Sequence, residues 1–168
     1  MRKFIKILTV GTLLGVLLLT MISCEETRKH TLGDLSFEVP QNLRVTNMAG
    51  YDIYLSTMEC ALSVQELDDE MLAEAGLRKS DGLEKMVNDY FTKNGIDKSQ
   101  CHLTYSEKQN AYKFRYSVSD DQQTYYFHYV VMIGNGESFY FVDMICDFDN
   151  SNYYLQEFER WGKTFNVK

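Results

Sequence analysis

The second half of this chain is organised on a two-residue period, and that period constrains the fold more than any other feature. Tyr112, Phe114, Tyr116 and Val118 alternate with Lys113, Arg115, Ser117 and Ser119, which predicts a strand with one dry and one wet face. Tyr125 to Ile133 is apolar on both faces and predicts a central strand. Gly134-Asn135-Gly136 supplies a turn. Phe139 to Phe148 then returns, with Tyr140, Val142, Met144, Cys146 and Phe148 on one side and Phe139, Phe141, Asp143, Ile145 and Asp147 on the other. The first half adds a strand at Leu35–Val39, closed by Pro40, which has no N–H to give to a ladder. Two more follow, at Tyr51–Met58 and Cys60–Val64, joined tightly through Thr57–Glu59 or fused into one bent strand.

Helical periodicity occurs in two places. Leu83, Met86, Val87, Tyr90 and Phe91 form one apolar stripe, with Asp81 and Glu84 at capping-box spacing before it and Asn94-Gly95 as its stop. Tyr154, Leu155, Phe158 and Trp161 form a second stripe, with Asp149 or Ser151 as its cap and Gly162 near its end. Met71, Leu72 and Ala75 predict one or two helical turns closed by Gly76. His102 to Glu107 predicts a strand, and Phe165 to Val167 a short closing one.

The N-terminus carries a different pattern. Arg2, Lys3 and Lys6 precede an uncharged run from Ile7 to Ile22 that ends in Ser23-Cys24. Sixteen residues is short for a bilayer core that wants roughly 20, and the run is softened by Thr9, Gly11, Thr12, Gly15 and Thr20, so it reads as a secretory signal. Met21-Ile22-Ser23-Cys24 resembles the lipobox of bacterial lipoproteins. The resemblance implies removal of residues 1–23 and acylation of Cys24, with the chain tethered to a membrane through that lipid. Two or three acyl chains anchor stably because each buried CH₂ is worth about 0.8 kcal/mol. Glu25-Glu26 after the cysteine resembles the export signal of surface lipoproteins in the Bacteroidetes, which implies a bacterial cell envelope and the outer membrane rather than the inner one. Residues 24–33 are then the lipidated cysteine and a polar tether, and residues 34–168 a single domain.

Charge and cysteine content narrow the function. The whole chain has formal charge −7, and its first 23 residues carry three positive charges and no negative one, so the remainder stands at −10. Such a body is a poor ligand for nucleic-acid phosphates. Cys60, Cys101 and Cys146 remain beyond Cys24; no CxxC occurs, and all three read as small buried hydrophobes in strands, although one internal disulfide would be compatible with the compartment.

The order of elements resembles the PsbP-like fold, whose members include the bacterial DcrB lipoproteins. The likeness spans Leu35 to Val167. It rests on Ser36, Phe37, Val39 and Pro40 at the start, a hairpin ending in Leu62-Ser63-Val64, a middle helix, an antiparallel meander, and a last helix running into Trp161-Gly162-Lys163-Thr164-Phe165. It implies an α+β fold, an antiparallel sheet flanked by helices in an α/β/α sandwich. It also implies a non-catalytic module that binds a protein partner or small ligand, with no cofactor and no shared active site.

The residues themselves offer little catalytic chemistry. There is no GxSxG elbow and no GxxxxGK[ST] loop. His30 falls in the tether, His102 at a strand start and His128 inside the central strand, with no metal-ligand spacing among them. Cys101 and His102, as strand neighbours, would point to opposite faces. Asp147 to Asn152 is rich in oxygen ligands, but lacks the glycine and glutamate of an EF-hand loop. The enzymatic alternative is a small hydrolase or metal-dependent enzyme, and it requires Asp143, Asp147 and Asp149 to converge in a concave pocket. Tyr125, Tyr126, Tyr153 and Tyr154 are the candidates for a partner surface, since tyrosine is enriched at contacts.

Overall fold

The computed structural model describes residues 26–119 and 124–168; the leader, Cys24 and the acylation expected there lie outside the described residues. In chain order the elements are β1 (Thr27–Leu32), β2 (Leu35–Pro40), β3 (Arg44–Val45), β4 (Ile53–Ser56), β5 (Cys60–Glu66), α1 (Asp69–Glu74), α2 (Gly82–Lys93), β6 (Thr104–Ser106), β7 (Ala111–Ser119), β8 (Tyr125–Gly134), β9 (Phe139–Asp147), α3 (Ser151–Gly162) and β10 (Asn166–Val167). A seven-stranded sheet runs β3-β4-β5-β9-β8-β7-β6, and a three-stranded one runs β1-β2-β10. Every strand pair is antiparallel. None of the described helices is long and apolar enough to cross a membrane.

Period-two alternation sends the large sheet's side chains to two separate cores. On one face Leu62, Val64, Phe127, Val131, Tyr140, Val142 and Met144 pack with α3 (Tyr154, Phe158, Trp161) and with Leu35, Phe37 and Val39 of the small sheet. On the other, Phe114, Val130, Met132 and Phe139 pack with Leu83, Met86, Val87 and Phe91 of α2 and with Leu72 and Leu77. The result is the expected α+β arrangement, an antiparallel sheet with helices on both faces. Each fully buried large apolar side chain contributes about 1.5–3 kcal/mol relative to exposure.

The tether expected over 24–33 gives way at Thr27. Thr27–Leu32 pairs along its whole length with β2, from Thr27 opposite Pro40 to Leu32 opposite Leu35. Alternation was too weak to reveal β1 because one of its faces is solvated and polar throughout. The β1–β2 turn explains Gly33: its φ is +52°, and a Cβ there would sit 2.7 Å from the Tyr140 hydroxyl, which itself accepts the Asp34 N–H at 3.1 Å. His30 consequently leaves the tether and enters the core edge. It stands opposite Phe37, stacks on it at 5.3 Å, and its Nε2 is buried with no hydrogen-bond partner.

Local caps also differ from expectation. Asp81 does not form a capping box with Glu84; it closes a 3₁₀ turn at Lys79–Asp81, accepting the Arg78 N–H at 2.9 Å and the Lys85 ammonium at 2.8 Å. The helix at 151 likewise continues directly from a 3₁₀ turn, Phe148–Asn150, and no side chain caps it. Asp68, in contrast, caps α1 by accepting the Met71 N–H at 2.8 Å. β4 and β5 are separate strands, because Thr57 Oγ1 accepts the Cys60 N–H at 3.1 Å and bends the chain there. At the other end of the molecule the carbonyls that close α3 are satisfied from the β6–β7 hairpin: Gln109 Nε2 donates to Phe165 O at 2.7 Å, and Lys113 Nζ to Gly162 O at 3.0 Å. Gly162 packs closely, since a Cβ there would lie 3.3 Å from the Tyr129 ring and the ring would have to give by a few tenths of an ångström.

Cys60 and Cys146 stand opposite each other across β5–β9, and both, with Cys101, are buried free thiols. Burial pushes the Cys146 thiol up to about 12 and raises that of Cys60.

Two outcomes follow. Phe158→Ala, at a side chain 0% exposed beneath the sheet, should cost about 3–5 kcal/mol in denaturant unfolding. Burial, followed by Arg28, lowers the His30 pKa from 6.5, so the folded state prefers the neutral ring. That contribution is present above pH 6.5 and is lost as pH falls through the lowered folded value. His30→Phe should therefore lose less stability than the parent between pH 7.5 and pH 5, read by urea midpoints; equal losses would contradict this account.

Candidate functional site

His128 lies on β8 facing α2, directly opposite Tyr116 on β7 and diagonal to Asp143 on β9. The strand register brings three side chains together that the sequence spreads over 28 positions. His128 Nδ1 lies 2.9 and 3.1 Å from the two Asp143 carboxylate oxygens. The Tyr116 ring stacks flat on the imidazole at 4.7 Å with an interplanar angle of 3°. From above, Tyr90 of α2 closes the cluster with a 2.6 Å hydroxyl–hydroxyl hydrogen bond to Tyr116. The His128 and Asp143 side chains are only 12% and 19% exposed, so the pair meets in a partly dry environment.

Electrostatics keep the phenols protonated. Burial pushes Tyr90 up to about 12 against the lowering effect of its bond to Tyr116. Tyr116 is raised further, by burial and then by the Asp143 carboxylate. The four groups act as a hydrogen-bonded plug between sheet and helix. A carboxylate-oriented histidine can serve as a general base where a nucleophile lies within reach. Among the described residues no hydroxyl or thiol hydrogen-bonds to the second ring nitrogen. Cys101 is no substitute: it is 1% exposed, its thiol donates to Asp97 O at 3.1 Å, and burial raises its pKa.

Beside this plug opens a cleft of about 590 Å³, bounded by Asn94–Asp97 and Gln100–His102 on one side and Arg115–Val118, Phe127 and His128 on the other. His102, expected to begin a strand, instead adopts a left-handed φ of +45° at the cleft wall, and β6 starts only at Thr104.

The three aspartates of the enzymatic alternative do not converge. Asp143 and Asp147 share a face of β9 but are four residues apart, about 13 Å along a strand. Asp147 and Asp149 are exposed at the strand end and in the following turn, and none of the three lines the cleft. Among the described residues no group of three or more His, Cys, Asp or Glu could hold a metal ion. That alternative is therefore corrected: in place of an acidic pocket, Asp143 is the partner of His128. Of the tyrosines, Tyr125 is 58% and Tyr153 68% exposed, whereas Tyr154 is 8% exposed. The Tyr154 hydroxyl donates to Glu59 at 2.8 Å, and Tyr126 is half-buried. Tyr125 and Tyr126, adjacent on β8, point to opposite faces of the sheet. Phe148, 48% exposed, lies 6.4 Å from the Tyr125 ring and extends that outer aromatic surface. Tyr90 and Tyr116 were missed as site residues because each belongs to an ordinary apolar stripe; only the strand register and the docking of α2 join them.

Solved structures share this fold. The solution structure of cyanobacterial PsbP from Synechocystis sp. PCC 6803 superposes with a TM-score of 0.58 at 15% identity, over 88% of this chain and 96% of that one. A crystal structure from Bacteroides thetaiotaomicron matches with a TM-score of 0.57 at 9% identity, over 84% of this chain and 48% of that one. The Ran-binding protein Mog1p of Saccharomyces cerevisiae matches with a TM-score of 0.51 at 10% identity, over 86% and 96% respectively. Neither a protein-family profile nor a curated protein sequence matches the chain. The fold is PsbP-like.

The plug should behave as a coupled unit. In a double-mutant cycle of His128→Phe and Asp143→Asn, unfolding free energies should be non-additive by about 1–2 kcal/mol, as expected for groups sharing one hydrogen-bonded network. Additivity would mean that the two residues stand in the sheet independently.

Proposed function

We propose that this chain is a lipid-anchored, non-catalytic binding or assembly module of a bacterial cell envelope. Residues 1–23 serve as the signal peptide, Cys24 carries the lipid, and the α+β domain that follows engages a protein partner or small ligand. The observation that carries the non-catalytic reading is the state of the polar groups beside the cleft at His128. His128 and Asp143 are engaged with each other across β8 and β9, and Tyr90 and Tyr116 with each other between α2 and the sheet, so these polar groups are paired internally. The likeness to a Ran-binding protein supports the same reading, since that structure is named for what it binds. The leader and its Cys24 support an extracytoplasmic placement, at the outer membrane rather than the inner one. Tyr125, Tyr126 and Tyr153, with Phe148 beside Tyr125, are the aromatic residues proposed to contribute to a partner surface.

Two measurements test this. Mass spectrometry of the protein from native membranes should find a diacylated or triacylated Cys24 at the new N-terminus; an unprocessed leader would remove the anchor. A photo-crosslinking residue placed at Tyr125 or Tyr153 in cells should give a discrete, reproducible adduct. Irradiated cells that show only the free protein at both positions would overturn the partner-binding reading.

A further inference from the structure

The slot beside β7 is only half filled. β6 pairs with Ala111, Tyr112 and Lys113, and no further. One more bond follows, the Arg115 N–H donating to the Cys101 carbonyl at 2.8 Å. From that point the neighbouring chain leaves the sheet through the 3₁₀ turn at Lys98–Gln100, and the cleft occupies the space it vacates. The backbone groups of Lys113 and Arg115 point outward, away from β8. In an antiparallel ladder this direction alternates residue by residue, so Ser117 N–H and C=O and Ser119 N–H point outward as well. Among the described residues nothing in the ladder pairs with them, and Ser117, Val118 and Ser119 are all exposed. Many proteins blunt such an edge with proline, charge or a covering segment. Here the positions from Tyr116 to Ser119 carry none of these.

We infer that an extended segment of a partner protein adds as a further strand along β7 from Arg115 to Ser119, filling the vacated slot. This rests on the partner-binding reading above and specifies its chemistry. The recognising groups are backbone donors and acceptors, so the occupant is an extended peptide. Its alternate side chains fall on the two sides of the slot. One set lies over Val118, Tyr116 and His128 in the cleft and favours apolar residues. The other set meets the Arg115 side chain. That guanidinium has no hydrogen bond or ion pair among the described residues, whereas the Asp97 carboxylate on the opposite wall is engaged by Ser99 N–H at 2.9 Å, Ser99 Oγ at 2.7 Å and Gln100 Nε2 at 3.2 Å. Those donors are neutral, so Asp97 keeps its negative charge, while Arg115 has no ion pair among the described residues; the segment therefore places an acidic residue on the Arg115 side of the slot, away from Asp97. A second copy of this chain is a poor occupant, because each body beyond the leader carries a formal charge of −10.

The test uses the full chain in detergent micelles and a phage-displayed library of random octapeptides. Selected peptides should be extended sequences with an acidic residue at a fixed place. On binding they should slow hydrogen exchange at the Ser117 and Ser119 amides. Two N-methylated series separate strand addition from other modes. Methyl groups on alternate residues of one parity should weaken binding about tenfold, by removing the N–H groups that face β7, while the opposite parity leaves it unchanged. Arg115→Gln should weaken binding about threefold to fivefold, the scale of an exposed ion pair. Equal effects of both methylation series, protection confined to amides elsewhere, or a library that yields no binder would each overturn the inference. So would a concentration-dependent dimer of the free chain that protects Ser117. A discrete in-cell adduct at Tyr125 or Tyr153 alongside any of these results would leave the partner-binding reading standing while removing the slot from it.

Discussion

Strand β9 is the member on which the rest of the architecture depends. It is hydrogen-bonded on both edges, to β5 through seven residues and to β8 through nine. Its face toward α3 is closed completely, with Tyr140, Val142 and Met144 all at 0% exposure. A middle strand buried in this way cannot be stable unless both faces of the sheet are covered. The two covers have different origins. α2 with the short α1 comes from the loop between β5 and β6, while α3 and the small sheet come from the two ends of the chain. The small sheet exists because β10 returns to pair with β2, Asn166 opposite Ser36 and Val167 opposite Leu35. The last described strand is thereby joined to the first described hairpin.

Within the covered part of β9 one position breaks the apolar rule. Asp143 faces α2 among Phe139, Phe141 and Ile145, and a carboxylate there would be costly without a partner. His128 on the next strand supplies it, Tyr116 covers the imidazole, and Tyr90 ties the assembly to the helix. The polar cluster is thus a consequence of placing an acid in the middle strand, and its side chains are spent on one another. Among the described residues the same sheet leaves a different place unpaired, the outer edge of β7 beyond Arg115. The groups left over there are backbone N–H and C=O rather than side chains.

Much of this could be read directly. The strands from Tyr112 to Phe148 and the stripes of α2 and α3 were legible because burial of one face imposes a period that amphipathic residues display. β1 was not legible: Thr27 to Leu32 is polar and exposed along most of its length, and it is ordered by ladder bonds to β2 rather than by burial. The capping box at Asp81 and Glu84 had the right spacing, yet a 3₁₀ turn captured Asp81 first, because its carboxylate reaches Arg78 and Lys85 at once. The aspartates of β9 and its following turn looked like a cluster in one dimension. Alternation and strand rise separate them, so proximity in sequence was misleading.

The amino-acid sequence by itself determined the class of the protein: period two and period 3.6 stretches, in this order, permit an antiparallel sheet with helices across it, and an acidic body of −10 turns away from polyanions. Those are local or additive properties, set by neighbours in the chain and by simple sums of charge. Only the tertiary structure decided which histidine met which carboxylate, which cysteines faced each other, and where β6 stops pairing with β7. Each of these depends on register between strands and on where β6 stops, and register is fixed by the cooperative packing of both cores rather than by any single segment.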